Sequence, residues 1–222
     1  MKERLINLFG GNNLEKIKNA HILLVGIGGV GSFCFETLIR CGVENITVID
    51  FDTYEESNLN RQLYATLDSL GKKKIDTALA RAKSINENVN INVLDTFLDF
   101  NSDFDFSSYD YIIDACDSVP AKANLIINAK KYNKKIIVSL GIGNRVCPEL
   151  VCKSTLKESL SDPLGKKLNH YLIKKCDFNE NVNVICSKEK SIKSQPISSY
   201  VCTTSVAGIY LSDYVIKDII NG

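Results

Sequence analysis

Residues 21–32 read His21-Ile-Leu-Leu-Val-Gly26-Ile-Gly28-Gly29-Val-Gly31-Ser32. The apolar run that precedes Gly26 is typical of a strand buried on both faces of a parallel sheet. The segment from Gly31 to Arg40 then carries apolar residues at helical spacing. A glycine-rich turn between a strand and a helix lets backbone N–H groups approach a phosphate, and the helix N-terminus adds positive potential. The stretch therefore predicts a nucleotide-binding loop in an α/β fold.

Strands and helices alternate along most of the chain. An amphipathic helical region at 1–19 is interrupted by Gly10 and Gly11, and the apolar periodicity predicts further strands at 45–50, 91–97, 109–115, 135–141, 149–153 and 182–187, with helices at 72–85, 120–132, 163–175 and 205–220. This order predicts a doubly wound, Rossmann-like, mostly parallel sheet. The alternation becomes less regular after Gly143, so we interpret 1–222 as a single domain with a short C-terminal elaboration.

Composition excludes several classes of protein. The 222 residues are 45% hydrophobic and 24% charged, as in ordinary globular domains, which excludes a disordered chain, a collagen-like repeat and a coiled coil. The net charge of +1 gives no overall attraction to nucleic acid or membrane. We find no signal peptide and no membrane-length apolar run, so we expect a cytoplasmic protein with reduced cysteines. The eight cysteines form no Cys-x-x-Cys pair, so we expect no zinc site.

An acidic residue follows the second predicted strand. Asp50 lies 19 residues beyond Gly31, and an acid at about that separation can accept hydrogen bonds from ribose hydroxyls. The glycine loop and Asp50 considered by themselves favour a dinucleotide-dependent dehydrogenase.

The residues after Asp50 do not fit a dehydrogenase. Asp52 is followed by a polar cluster that contains Asn58, Arg61 and Gln62, and Lys74 comes twelve residues later. Asp117 follows the fourth predicted strand, at the sheet edge where α/β proteins bind their ligands. Two cations, two amides and a carboxylate at one site predict a triphosphate held for reaction. The alternatives are a surface ion pair for Arg61, a helix N-cap for Asp117, and a solvated helix start for Lys72 and Lys73.

These motifs resemble the adenylate-forming superfamily of ubiquitin-activating enzymes and of the ThiF/MoeB-type adenylyltransferases. The resemblance implies that Asp50 binds ribose, that Asn58, Arg61 and Lys74 contact phosphates, and that Asp117 assists a magnesium ion on ATP. It makes Arg61, Lys74 and Asp117 the catalytic residues. The nucleotide-binding set that it implies is Gly26, Gly28, Gly29, Gly31, Ser32, Asp50, Asp52, Asn58 and Gln62.

The second half of the chain narrows the resemblance. The tRNA threonylcarbamoyladenosine dehydratases, which also lack the superfamily's zinc cysteines, are similar to this chain at Gly141-Ile-Gly-Asn-Arg145, Asp162-Pro-Leu164, Val184-Ile-Cys-Ser-Lys-Glu189 and Ser205-Val-Ala-Gly208. The resemblance implies ATP-dependent cyclisation of the modified nucleoside through carboxylate adenylation. It divides the domain into an ATP-binding core at 1–145 and a substrate-side and dimerisation region at 146–222. Cys147 stands where an acid is expected before Pro148, and the 145–204 region is short; both bear on substrate choice.

Other functions remain open at this point. One alternative is an adenylyltransferase that activates the C-terminus of a ubiquitin-like sulfur-carrier protein, and another is a non-catalytic nucleotide-binding or redox protein. Cys186 and Cys202 are candidates for a thioester nucleophile, although buried filler is the favoured interpretation of both. The resemblance implies a homodimer that acts on tRNA, and it leaves a sulfur-supplying or cysteine-desulfurase partner open.

Two lysine-rich stretches are candidates for tRNA contact. Residues 150–195 hold nine lysines against five acidic residues, and a second stripe consists of Lys130, Lys131, Lys134 and Lys135. Such patches bind phosphate backbones with strong salt dependence. A solvated surface without a nucleic-acid role explains the 150–195 stretch equally well.

Overall fold

The computed structural model describes residues 2–222 and contains a seven-stranded sheet. The strand order is β3-β2-β1-β4-β5-β7-β6, and every neighbouring pair is parallel except β6 and β7. The strands are β1 (His21–Val25), β2 (Asn45–Ile49), β3 (Asn90–Leu94), β4 (Tyr111–Asp114), β5 (Lys135–Ser139), β6 (Val151–Thr155) and β7 (Asn183–Ser187). The predicted doubly wound, mostly parallel fold is confirmed.

Seven helices among residues 2–222 cover both faces of the sheet. They are α1 (Lys2–Phe9), α2 (Gly11–Asn19), α3 (Gly31–Arg40), α4 (Lys74–Ile85), α5 (Val119–Lys131), α6 (Pro163–Cys176) and α7 (Val201–Asn221). Apolar side chains of α3, α4 and α7 share one core with one face of the sheet. Residues of α5 and α6 pack on the opposite face. No helix in this part of the chain is both long and apolar enough to cross a membrane.

Sheet register places the candidate site. Val25 at the end of β1 lies beside Ile49 of β2 on one side and Asp114 of β4 on the other. The chain leaves these strands in different directions, because β1 and β2 are joined through α3 whereas β4 continues through α5 on the opposite face. The crevice outside β1 and β4 is therefore the point where α/β sheets bind ligands.

The C-terminal region completes the main sheet rather than forming a separate layer. Strand β7 pairs in parallel with β5, and β6 then adds to the edge in the antiparallel direction. Helix α7 packs directly on α3: a Cβ atom at Gly208 would lie 2.3 Å from the carbonyl oxygen of Val30. Only glycine allows the two helices to approach so closely.

Several element boundaries differ from the sequence prediction. Helix α4 begins at Lys74 instead of residue 72, because Lys73 is extended and forms an isolated bridge with Thr53. The predicted strand at 149–153 begins at Val151, since a short 3₁₀ turn starts at Pro148, which lacks the N–H that a strand ladder requires. Helix α7 starts at Val201, four residues earlier than predicted.

Candidate active site

The glycine loop turns too tightly for any side chain at two positions. Gly26 has a φ of 91°, and its N–H donates to the Ile49 carbonyl at 2.8 Å. A Cβ at Gly31 would lie 1.8 Å from the carbonyl oxygen of Gly26. The loop therefore folds back on itself where α3 begins. Gly28 and Gly29 stand at its partly exposed outer side, where the backbone can approach a ligand.

Asp50 braces this loop from the end of β2. Its buried carboxylate accepts the N–H of Ile27 at 2.7 Å and the N–H of Asp52 at 2.9 Å. Burial raises the pKa of Asp50; the hydrogen bond from Ile27 and the nearby charge of Lys74 oppose that shift only in part. The structure thus gives Asp50 a loop-supporting role that the spacing argument did not predict. Its contact with ribose stays a prediction.

Lys74 lies at the same edge and is paired with Asp52. The Lys74 ammonium nitrogen and Asp52 Oδ2 are 2.7 Å apart, and the backbone N–H of Lys74 donates to the backbone carbonyl of Asp52. The lysine side chain is only 6% exposed, whereas the side chain of its partner is 47% exposed. One side of this ion pair is therefore open to solvent and to a ligand.

The polar segment after β2 is organised by Asn58. Its backbone carbonyl accepts the N–H groups of Arg61 and Gln62, and its side-chain oxygen accepts the N–H of Glu55. Asn58 is buried, so most of its side chain supports the turn. This turn presents Arg61 above the glycine loop: a Cβ at Gly29 would be 3.2 Å from Arg61 Cγ.

The Arg61 guanidinium stays at the partly exposed surface of the turn. It donates to the Ser57 carbonyl at 2.6 Å and to Asn60 Oδ1 at 3.0 Å. Neither acceptor carries a full negative charge, and Arg61 forms no ion pair with any side chain of residues 2–222, so the alternative of a surface ion pair is not supported. The cation remains beside the loop that is predicted to bind phosphate.

Gln62 and Ser32 are both buried beside the glycine loop. Gln62 is buried against the glycine loop, and its Oε1 has no hydrogen-bond partner in residues 2–222. Ser32 is fully buried, and its hydroxyl oxygen accepts the N–H of Leu63 at 3.1 Å. The Ser32 side chain therefore fastens the 55–64 segment to α3, and its contact with a nucleotide stays a prediction.

A buried ion pair that sequence reasoning missed joins the end of β4 to α5, on either side of the loop between them. Asp114 and Lys122 are both fully buried, with Nζ 3.1 Å from Oδ1, and Lys122 also donates to the Ser139 carbonyl at 2.7 Å. Asp114 further accepts the N–H of Cys116. A lysine one turn into the helix that follows an aspartate-terminated strand was the available signal.

Asp117 projects from this same loop. Its side chain is exposed, and the loop adjoins the glycine turn, since a Cβ at Gly26 would lie 2.8 Å from the Ala115 carbonyl oxygen. The alternative that Asp117 is the N-cap of the next helix is wrong. Ser118 caps α5, accepting the N–H of Ala121 on its side-chain oxygen. The Asp117 carboxylate is thereby left free of a capping role.

Arg145 links the segments that contain Asp162 and Glu189 to the carboxyl end of β5. Its guanidinium donates to Asp162 Oδ2 at 2.6 Å, to the Glu189 carbonyl at 3.2 Å and to the Gly141 carbonyl. Asp162 also caps α6 by accepting the N–H of Gly165 at 2.8 Å. This buried hub connects the ends of β5 and β7 to the start of α6, which explains why these separate motifs occur together.

Asn144 holds the loop between β7 and α7. With a left-handed φ of 57°, it donates its N–H to the Ser198 carbonyl and accepts the Ser198 N–H on Oδ1, each at 2.7 Å. Its Nδ2 donates to the Ser194 carbonyl. The same loop reaches the polar segment, because Asn60 Nδ2 donates to the Ser199 carbonyl at 3.0 Å. The 188–200 loop therefore borders the Arg61 turn.

The two candidate thiols differ in their surroundings. Cys186 is buried in an apolar cluster and accepts a hydrogen bond from the Ser159 hydroxyl, and burial raises its pKa. A buried thiol with a raised pKa is a poor nucleophile. Cys202 is half-buried in the first turn of α7, beside Tyr200. All eight cysteines are free thiols. No group of three or more His, Cys, Asp or Glu within the described range 2–222 is placed to hold a metal ion.

The chain is similar to characterised proteins over most of its length. Residues 2–219 match the ThiF family. The chain is 31% identical over 232 residues to the tRNA threonylcarbamoyladenosine dehydratase of Bacillus subtilis (strain 168), covering 95% of this chain and 91% of that protein. It is 35% identical over 192 residues to the protein of the same name from Haemophilus influenzae (strain ATCC 51907 / DSM 11121 / KW20 / Rd), covering 86% and 74% respectively.

Solved structures agree with this relationship. The fold superposes on E. coli tRNA N6-threonylcarbamoyladenosine dehydratase, TcdA, in complex with AMP, with a TM-score of 0.94 and 30% sequence identity. The overlap covers 98% of this chain and 93% of that one. The same protein in complex with ATP gives a TM-score of 0.91 at 28% identity. A match to the family along nearly the whole sequence, together with this fold, shows that the chain belongs to the ThiF family.

Proposed function

We propose that this protein is an ATP-dependent dehydratase that cyclises threonylcarbamoyladenosine in tRNA by adenylating its carboxylate. The observation that carries the chemistry is the position of Arg61 and Lys74, two cations beside one glycine loop at the point where β1 and β4 diverge. The identity of the substrate rests on the similarity to tRNA threonylcarbamoyladenosine dehydratases.

We place the triphosphate over Gly28 and Gly29, whose N–H groups would bind phosphate oxygens. Arg61 lies directly above Gly29 and Lys74 lies beside Asp50, so both cations are near enough to the loop to neutralise phosphoryl charge. The unpartnered Gln62 Oε1 offers a buried acceptor to a donor group on the nucleotide. Asp50 and Asp52 complete the binding set, with Asp50 on the ribose.

An ATP site also needs an oxygen ligand for the magnesium ion that accompanies ATP, and we propose Asp117 for this role. Its exposed carboxylate supplies the oxygen ligand that Mg²⁺ prefers, beside the loop proposed to bind phosphate. Asp117 would hold a magnesium ion there, and the charge of that ion would help to stabilise the negative charge that develops when the α-phosphorus is attacked. The loop that carries Asp117 is anchored by the buried pair of Asp114 and Lys122, so its position is fixed before a ligand arrives.

A free carboxylate is a poor electrophile because its leaving group would be oxide, so it must first be activated. A carboxylate oxygen attacks the α-phosphorus of ATP, the bond from that phosphorus to the pyrophosphate oxygen breaks, and an acyl-adenylate forms. A nucleophilic atom of the same substituent then attacks the acyl carbon and loses its proton. AMP departs with the former carboxylate oxygen, so the ring closes with net loss of water. The protein contributes positioning and electrostatic stabilisation, and no covalent protein intermediate is required.

Helix α7 exposes apolar side chains that could form an interface between two copies of the chain. We propose a homodimer, as the superfamily resemblance implies; Ile209 and Tyr210 on α7 leave 43% and 40% of their surface exposed and offer apolar contact area. Sedimentation of the purified protein tests this state.

We also propose a cytoplasmic location, because the substrate is tRNA. The scheme consumes only ATP and modified tRNA, so a sulfur-supplying partner has no step in it.

The experiment that tests the function uses the purified protein with ATP, Mg²⁺ and tRNA that carries threonylcarbamoyladenosine. We expect pyrophosphate release that depends on this tRNA, and a nucleoside product lighter by one water in mass spectrometry. Cys186→Ala and Cys202→Ala should both turn over at wild-type rates. A tRNA-independent exchange with a sulfur-carrier protein would establish the alternative adenylyltransferase instead, and loss of turnover in either cysteine variant would restore a thioester route.

A further inference from the structure

Helices α5 and α6 form a layer whose outer surface is basic. They pack against each other through apolar residues that include Ile126, Leu168 and Leu172. Neither helix contains an aspartate or a glutamate. Six exposed lysines, which we call the lysine face, are Lys130, Lys131, Lys166, Lys167, Lys174 and Lys175. This charge is concentrated, because the whole chain carries only +1.

The lysines of α6 are available to a ligand. Within residues 2–222, the ammonium groups of Lys166, Lys167, Lys174 and Lys175 make no hydrogen bond or ion pair with another side chain or with the backbone. Three other lysines of the lysine-rich stretches, in contrast, have contacts inside the molecule. Lys153 lies over the Tyr214 ring at 4.2 Å, Lys157 donates to the Asn179 carbonyl, and Lys135 pairs with Asp218. The structure therefore separates free cations from structural ones, which the sequence could not do.

Few acidic groups lie near the lysine face. Lys130 pairs with Glu180 at 2.7 Å in the loop after α6, and Asp177 caps the C-terminal end of α6. Asp162 is buried at the other end of α6 and is paired with Arg145. Positive charge consequently dominates along the exposed length of α6.

A groove runs along the exposed side of α6. Its volume is about 450 Å³, and it is lined by Leu160, Lys166, Asn169, His170, Ile173 and Lys174. Leu160 and Ile173 are 39% and 40% exposed and form an apolar floor between two lysines. Lys166 and Lys174 lie two turns apart on one side of the helix, about 12 Å along its axis. Cations that flank an apolar floor with an imidazole fit a nucleic-acid strand, whose phosphates and bases need both kinds of contact.

The direction of α6 connects this groove to the candidate active site. The helix begins at Asp162, whose carboxylate also accepts the N–H of Gly141 beyond the carboxyl end of β5. Lys166 and Lys167 therefore lie near the catalytic edge of the sheet. Lys174 and Lys175 lie toward the opposite edge, where α5 also ends. An RNA strand on this face would run toward the nucleotide site.

We infer that the lysine face binds the phosphodiester backbone of tRNA and directs the modified nucleoside to the β1–β4 crevice. This inference rests on the proposed function for the identity of the RNA. An acidic protein would also be attracted to lysines, but the run of free cations beside an apolar groove that points to the active edge favours a nucleic-acid strand.

The test compares two doubly charge-reversed variants with equal net charge. Lys166→Glu with Lys174→Glu alters the groove, and Lys16→Glu with Lys217→Glu alters exposed lysines on helices α2 and α7. The affinity for modified tRNA is measured between 50 and 200 mM salt, with ATP affinity and turnover at saturating tRNA as further readouts. We expect the groove variant to bind tRNA at least about tenfold more weakly, and the slope of log affinity against log salt to fall by roughly 1.4–1.8.

The control variant should bind tRNA like the wild type, and both variants should retain ATP binding and turnover at saturating tRNA. Equal tRNA affinity in the groove variant and the wild type would overturn the inference. Loss of poly-L-glutamate binding with unchanged tRNA affinity would assign the face to an acidic protein partner instead. If tRNA affinity depends on the groove but the wild type forms no dehydrated nucleoside, the inference stands and the proposed function fails.

Discussion

Two lysines at the carboxyl edge of the sheet look alike in sequence and differ in their surroundings. Lys74 and Lys122 each pair with an aspartate at or just beyond the carboxyl end of a parallel strand. The side chains of Lys122 and Asp114 are both 0% exposed, and Lys122 donates to both oxygens of Asp114 and to the Ser139 carbonyl. Lys74 makes one side-chain hydrogen bond, to an aspartate that is 47% exposed. A lysine whose three donors are used inside the core supports structure, whereas one with a solvated partner remains available to a ligand.

The largest effect is expected when the buried lysine is removed. Lys122→Met keeps the side-chain volume but leaves Asp114 as an uncompensated buried charge, so we expect the free energy of unfolding to fall by about 3–5 kcal/mol. Urea denaturation measures this loss. A change below about 1 kcal/mol would mean that the pair does not anchor the loop that carries Asp117.

The matched substitution at the other lysine should affect chemistry instead. Lys74→Met removes a cation that we place on the phosphates, so we expect turnover to fall by about 10²–10³-fold. Its unfolding free energy should change by no more than about 1 kcal/mol, because Asp52 can be solvated. Tests are tRNA-dependent pyrophosphate release and urea denaturation of the same protein. Wild-type turnover would remove Lys74 from the catalytic set.

Substituting the acidic partners sharpens the same contrast. Asp52→Asn should lower the unfolding free energy by less than about 1 kcal/mol, because Asp52 is 47% exposed and the charge of Asp50 remains beside the Lys74 ammonium. Asp114→Asn, the control, should cost several times more, since it leaves Lys122 buried and uncompensated. Both are measured by urea denaturation at neutral pH. Equal losses in the two variants would show that exposure does not distinguish the pairs.

The smallest effect is expected at a surface network. Burial raises the pKa of Glu36, but hydrogen bonds from Arg81 and Arg40 outweigh it and hold the pKa below its usual value of 4.5. The stabilisation is therefore present above pH 4.5 and is lost as the pH falls through the folded-state pKa. Comparison of wild type with Glu36→Gln should show a difference of about 1 kcal/mol or less at pH 6 that disappears at lower pH. A pH-independent difference would contradict this.

Residues whose role follows from backbone geometry were predictable from sequence. The glycine loop followed from its position between a strand and a helix, and Gly31 is required because any Cβ would overlap the Gly26 carbonyl. Side-chain roles in the interior were less predictable. Ser32 belongs to the glycine motif, yet its hydroxyl is committed to Leu63, and Ser118 rather than Asp117 caps α5. Which hydrogen-bond partner a polar side chain finds depends on the groups that the fold brings close to it. Spacing along the chain does not specify those groups.

The sequence by itself determined the α/β architecture and the position of the glycine loop, because hydrophobic periodicity and glycine placement are local properties. The tertiary structure decided which charges are buried and which are free. Lys122 became structural, Arg145 became the hub of the C-terminal segments, and the lysines of α6 stayed in solvent. The physical reason is that the energetics of a charge depend on its solvent exposure and on partners brought from distant parts of the chain.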